Sequence, residues 1–219
     1  ARLSEAPQKY TNSVGISLQL FRPTKFTMGA PRHQRGQRAN EFVRNIELKK
    51  PFYASRHEIT NAQYQKFKKS HSIKAGTALP ATSMSWAEAA TFSSWLSKKE
   101  GLVPFYYLEN GRLRKVNNSA NGYRLLSEAE WEWLARRASR QSLTIFPWGN
   151  DSVVPKKAGN IADETARGLV PFYIPNYFDG FPEKAAVGSF PAEKSGLFDL
   201  TGNVSEWVHD WYSLEPPAK

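Results

Sequence analysis

Gly196-Leu197-Phe198-Asp199-Leu200-Thr201-Gly202-Asn203-Val204-Ser205-Glu206-Trp207 is the stretch that decides how this chain reads. Asp199 and Glu206 bracket a turn at Thr201-Gly202-Asn203, where glycine supplies backbone freedom that branched residues lack. Apolar Leu197, Phe198, Leu200, Val204 and Trp207 flank the turn, which takes the two acids off a freely solvated loop. A carboxylate withdrawn from water has to be paired, hydrogen-bonded or bound to metal. Two arrangements meet that requirement: a hard-cation site built from converging oxygens, or a tight turn whose acids accept hydrogen bonds from backbone amides.

Composition narrows what surrounds this turn. The 219 residues are 40% hydrophobic and 13% aromatic, enough to build a rigid core and to set disorder aside. No run approaches the roughly 18 apolar residues of a membrane span, and no signal peptide is visible. A start at Ala1 rather than Met reads as a processed product or an excised domain. Cysteine is absent, so these residues carry no disulfide, thiolate metal site or cysteine nucleophile. The net charge of +10 is local: residues 1–70 hold 14 Lys and Arg against 4 Asp and Glu, and the remainder holds 16 of each kind. A field of that shape attracts an acidic partner, anionic lipid or nucleic acid, although no specific nucleic-acid motif accompanies it. A solvated face is the plainer alternative.

Residues 1–16 are polar and read as a leader or linker, with the domain proper over 17–219. Ser17–Arg22 alternates as a strand, and Lys25–Gly29 looks like its hairpin partner across Pro23. A basic, turn-rich loop at 32–41 precedes another strand over Phe42–Leu48. Three helix starts share the capping box, Ser or Thr followed three residues later by Glu or Gln: Thr60 with Gln63, Ser85 with Glu88, and Ser127 with Glu130. The last leads into a Trp131, Leu134, Ala135, Ala138 stripe that reads as core. Phe105–Leu108 and Arg112–Val116 form a hairpin because Asn110-Gly111 suits a type I′ turn. From Pro147 to about 185 the chain is irregular, but Phe172, Tyr173, Tyr177, Phe178 and Phe181 make it an ordered loop.

Other chemistries find little support. His33, His57, His71 and His209 lack close metal-ligand spacing, and His57 and His209 read as hydrogen-bonding partners. No glycine-rich phosphate loop or nucleophile elbow is present. In the Glu128, Glu130, Glu132 set, Glu130 is explained by the cap, and the other two share a helix face.

Taken in order, Phe26-Thr27-Met28-Gly29, Asn40-Glu41, His57–Tyr64, Ser85–Ala89, Tyr123–Glu132, Pro147–Asn150 and Gly196–Trp207 resemble the formylglycine-generating enzyme (sulfatase-modifying factor) family over residues 18–211. The resemblance implies an α+β, modified C-type-lectin-like fold, loop-rich and with little regular secondary structure. It also implies structural calcium, held by Asp199 and Glu206 side chains with the Gly202 and Val204 carbonyls. A second set follows from it: Asn160 and Asp179 with the carbonyls of Ile161 and Phe181. An extracytoplasmic compartment is implied in the same way.

The departures bear on activity. Family oxidases bind copper through a cysteine pair and convert a substrate cysteine to formylglycine; without thiols, copper has no such ligands here. The chain stops at Lys219, before the closing segment that the family places next, and Leu126-Ser127 replaces the usual Pro-Thr. The expectation is a calcium-stabilised, non-catalytic or altered-function module binding a protein or peptide, possibly an acidic one. The alternatives are a fragment of a copper-dependent formylglycine-generating oxidase, or another oxidase or maturation factor on the same scaffold.

Overall fold

A computed structural model describes residues 6–34 and 36–214. Among these residues, three small antiparallel sheets and three helices carry long connecting loops. Strands β1 (Lys9–Thr11), β2 (Ser17–Phe21) and β5 (Phe52–Ser55) form one sheet in the order β1-β2-β5. Strands β3 (Lys25–Met28) and β4 (Arg44–Glu47) form a second, and β6 (Tyr106–Glu109) and β7 (Arg112–Val116) a third. The helices are α1 (Asn61–Gln65), α2 (Trp86–Lys99) and α3 (Glu128–Arg136), with a 3₁₀ turn at Glu164–Ala166.

Each helix begins where its capping box predicts. Thr60, Ser85 and Ser127 accept from the backbone N–H three residues on, and Gln63, Glu88 and Glu130 reach back to the cap N–H. Asn110 and Gly111 adopt φ of 49° and 71°, the left-handed pair that a type I′ hairpin requires between β6 and β7. The 150–185 loop has no strand and no α-helix, and Tyr177 anchors it by burial and by a hydroxyl that donates to the Gly159 carbonyl at 2.8 Å.

Three expectations need correction. The segment read as leader is structural from residue 9: β1 pairs with β2, and Val14 and Ile16 are buried in the core. Asn12 holds that entry, its Oδ1 accepting from the Val14 and Ile16 amides. Residues 1–5 lie outside the described residues, as do 215–219. Strand β3 is not the hairpin partner of β2; β2 is hydrogen-bonded on both edges, by β1 and β5, so β3 pairs with β4 instead. Finally, Trp133 rather than Trp131 is the core tryptophan of α3. It joins Phe21, Phe26, Met28, Leu134 and Leu200 in one cluster, and Trp131 is only partly buried.

A second cluster joins Val14, Leu18, Tyr64, Phe92 and Leu96, tying α1 and α2 to the first sheet. Leu197 and Leu200 enter the first cluster, which pins the acidic loop between them to the body. Among the described residues no helix is long and apolar enough to cross a membrane.

Candidate functional site

The acidic loop is fixed by an unusual run of backbone conformations. Asp199, Gly202 and Asn203 have φ of 63°, 128° and 64°, and non-glycine residues take such values only when their surroundings hold them. The holding contacts are specific. Phe198 N–H donates to the Arg56 carbonyl, the Phe198 ring stacks on His57 at 4.4 Å, and Asn203 N–H donates to the Asn160 carbonyl at 2.8 Å. Gly202 lies so close to Asn160 that an added Cβ would sit 2.1 Å from its carbonyl oxygen.

These constraints bury Asp199, which is 5% exposed. Its Oδ2 accepts from the Gly188 amide at 2.7 Å, and its Oδ1 is buried without a hydrogen-bond partner. The same condition recurs on Glu58, in the turn between β5 and α1: Oε1 accepts from Asn203 Nδ2 at 3.1 Å, and Oε2 is buried and unpartnered. Burial, then the charges of Asp199 and Glu206, push the Glu58 carboxyl up to about 9, so that it holds its proton at neutral pH. Each of the two acids thus keeps one buried oxygen without a partner, of the kind that a proton or a cation would satisfy. Glu206 stands at the exposed rim, its Oε2 accepting from Trp131 Nε1 at 2.9 Å.

The second predicted set is brought together, and it adjoins the first. Asp179 accepts from the Ile161 amide at 2.9 Å and from the Phe181 amide at 2.7 Å, one bond to each carboxylate oxygen. Asn160 Nδ2 donates to the Glu183 carbonyl and to Asn203 Oδ1. Buried Asp163 takes the Asp179 and Thr165 amides. Here both oxygens of Asp179 already have donors, the pattern of a carboxylate that ties a loop. The orphaned oxygens that would suit a cation belong to Asp199 and Glu58.

Among the described residues no three His, Asp or Glu side chains are gathered closely enough to form a metal shell by themselves. A calcium shell of six to eight oxygens would thus depend on the Gly202 and Val204 carbonyls beside the carboxylates. Sequence reading passed over two residues here. Glu58 was legible only as part of a motif, and Asn203 only as a turn residue; yet Asn203 bonds Glu58, Asn160 and Ala185, joining the three segments.

A cleft of about 440 Å³ shares Trp131 with this site and is also lined by Glu132, Arg136, Phe146 and Val208. Glu132 accepts from the Gly29 amide at 2.8 Å; burial outweighs that bond and the Arg136 charge, and raises its carboxyl above the usual range. His209 lies elsewhere, its Nδ1 3.2 Å from the Tyr106 hydroxyl, a structural contact of the kind expected for it.

Comparison with known proteins places this geometry in context. The chain is 27% identical over 186 residues to "Chaperone protein LppX" of Paenibacillus barcinonensis, covering 78% of this chain and 65% of that protein. It is 30% identical over 135 residues to the formylglycine-generating enzyme of Mus musculus, covering 62% of this chain and 28% of the enzyme. With the inactive C-alpha-formylglycine-generating enzyme 2 of the same species, it shares 27% identity over 141 residues, 64% of this chain and 35% of that one. Its fold matches PvdO from Pseudomonas aeruginosa with a TM-score of 0.71 at 23% identity, over 96% of this chain and 77% of that structure. The architecture is accordingly α+β and C-type-lectin-like, loop-rich around few regular elements. The model of the sulfatase-modifying factor enzyme 1-like domain matches residues 18–217, and the chain belongs to that family.

Proposed function

We propose that this domain is a calcium-stabilised protein- or peptide-binding module on the family scaffold, without formylglycine-generating chemistry of its own. The observation that carries the reading is the pair of buried, unpartnered oxygens, Asp199 Oδ1 and Glu58 Oε2. Asp199 and Glu58, whose free oxygens face no other donor, would hold the ion with the Gly202 and Val204 carbonyls, and Glu206 at the rim would complete the set as the loop closes on it. Bound there, calcium would displace the Glu58 proton, satisfy the two unpartnered oxygens and lock the loop that carries Trp207. The 219 residues contain no thiol with which to bind copper or oxidise a substrate cysteine. The cleft beside Trp131 and the exposed aromatics of the 168–181 loop supply a surface of the kind that binds protein. An extracytoplasmic compartment, where calcium is plentiful, suits this reading.

Thermal unfolding with millimolar calcium and with a chelator tests it. An ion present at about 100 times its Kd adds about 2.7 kcal/mol, which for a chain of this size raises Tm by roughly 5–10 °C. Asp199→Asn and Glu58→Gln are expected to lose most of that shift. An unchanged Tm, with no calcium found by native mass spectrometry, would remove the ion from the reading.

A second reading has its own support in the 30% identity to the mouse enzyme and the small share, 28%, of that enzyme which the chain spans: a portion of a copper-dependent oxidase whose cysteines lie in a further segment. A cysteine pair shortly downstream in the full gene, with oxygen-dependent consumption of a sulfatase-derived peptide thiol, would establish the oxidase and displace the non-catalytic module.

A further inference from the structure

The 150–185 loop is firmly anchored and yet turns its largest apolar side chains outward. Asp163 is wholly buried and takes the Thr165 and Asp179 amides. The Tyr177 hydroxyl accepts from the Gly159 amide at 3.2 Å and donates to the Gly159 carbonyl, and the Ile174 amide donates to the Ala162 carbonyl at 2.8 Å. Between these anchors Arg167 and Val170 pair across a tight turn, in which the Leu169 amide donates to the Ala166 carbonyl. Pro171 and Pro175 restrict the backbone on either side of Phe172-Tyr173-Ile174. The result is a held tip on which Phe172 is 85% exposed and Leu169 65%, with Phe178 71% exposed beside the Tyr177 anchor. Single exposed apolar residues are ordinary; several on one short, anchored segment mark a surface that meets something apolar.

Charge narrows the occupant. Between residues 152 and 178 the exposed charged residues are Lys156, Lys157 and Arg167; the acids of this span are buried Asp163 and Glu164, which lies 3.9 Å from Arg167. The exposed acids nearest in sequence, Asp151 and Glu183, stand outside it. The Arg167 guanidinium sits over the Tyr173 ring at 5.8 Å, which keeps it at the tip. Like charges on two copies, each carrying +10 overall, oppose self-pairing through this face and favour an anionic counterpart. Of the two surfaces named above for a protein partner, the cleft beside Trp131 suits a peptide, and its lining includes no residue of this loop; the projecting tip suits a soft, flat surface. We propose that Leu169 and Phe172 insert into the headgroup–acyl boundary of an anionic lipid bilayer, with Lys156, Lys157 and Arg167 at the level of the phosphates. Apolar side chains at that depth beside basic ones are the composition of surface-bound segments, and no spanning helix is required. A tip already held in place loses little conformational freedom on insertion. The inference goes beyond the peptide-binding reading and is independent of the cation.

Co-sedimentation of the domain with phosphatidylcholine vesicles, with and without about 30% phosphatidylglycerol, tests the assignment. The wild type is expected to partition onto the anionic vesicles about ten-fold or more above the neutral ones, since each basic residue near the surface contributes roughly five-fold. Phe172→Ala and Leu169→Ala should each weaken that partition about five- to ten-fold, and Lys156→Gln combined with Lys157→Gln about ten-fold. Trp211→Ala, which removes a side chain 92% exposed outside the loop, should change it less than about two-fold. The Tm of each variant is checked, and Phe172→Trp gives a readout that does not depend on removing a side chain: its added fluorescence should be quenched by lipids brominated along the acyl chain. No partition onto the anionic vesicles overturns the proposal, and equal partition onto neutral ones overturns its anionic part. Binding that the tip variants leave intact, or that Trp211→Ala weakens equally, overturns it too, because adsorption would then follow general charge or general apolarity. Self-association that Phe172→Ala abolishes, without partition, would give the tip to a second copy instead. None of these outcomes bears on the calcium shift, which is judged by its own experiment.

Discussion

Replacing Gly202 by alanine is expected to destabilise the domain by about 3–5 kcal/mol, from backbone strain and a clash that cannot relax locally. The new Cβ would lie 2.1 Å from the Asn160 carbonyl oxygen and 3.1 Å from its carbon, both backbone atoms, at a φ of 128° that side chains rarely adopt. Relief requires moving either the acidic loop or the 159–161 segment. That segment is held by the Tyr177 hydroxyl, by Asp179 and by Asn203, so any shift breaks hydrogen bonds on both sides. Gly168→Ala is the control: its φ is 85°, but nothing lies within 4 Å of the added atom, so about 1 kcal/mol of left-handed strain is the whole cost. Urea unfolding of the two variants checks the difference, and equal midpoints would show that the loop is not seated on Asn160. The loss should persist in chelator, since it arises from packing, though the variant should also fail to respond to calcium.

How far such a contact can be read from sequence depends on distance along the chain. The capping boxes at Thr60, Ser85 and Ser127 span three residues each, and all three formed as written, because both partners belong to one turn of helix. The Asn110-Gly111 turn is equally local. The acidic loop was legible as a turn with two withdrawn carboxylates; Asp199 is buried there, but Glu206 stands exposed at the rim. What was hidden is the partner: Glu58 and Asn203 are 145 residues apart, and nothing in either local pattern points to the other. The same limit explains β3. Its alternation identified a strand, but which strand it joins is set by β1 and β5 already filling both edges of β2. Residues 9–16 were misread because only Val14 and Ile16 are fully apolar and buried, too few to make a period.

The family departure at Leu126-Ser127 is absorbed for a similar reason. The serine keeps the cap through its hydroxyl, and the Leu126 carbonyl accepts from His209 N–H at 2.7 Å, a backbone bond that does not depend on the side chain. His209 in turn meets Tyr106 and Phe105, so the 207–210 stretch is stapled to the body at the same point.

The second large effect is expected at the cap beside it. Glu130 binds Arg124 in two-point fashion at 2.7 and 2.6 Å, accepts from the Ser127 amide at 2.8 Å and is buried. Burial alone would raise its carboxyl; the Arg124 guanidinium and the Ser127 groups more than offset this and hold it below its ordinary 4.5. Glu130→Gln leaves the Arg124 charge without a counter-ion, for which breaking a buried pair costs about 3–5 kcal/mol near neutral pH. The sign of the pH dependence follows from the depressed value. The wild-type carboxylate contributes its full stability above 4.5 and loses it as the pH falls through the lower folded value. The deficit of the variant is therefore greatest at neutral pH and shrinks on acidification below that range. Removing both charges, as Arg124→Met with Glu130→Gln, should cost less than the sum of the single changes, because no unpaired ion then remains. Unfolding free energies across a pH series settle the matter: a deficit that stays constant down to strong acid would mean that Glu130 acts through its cap hydrogen bonds alone, and not through its charge.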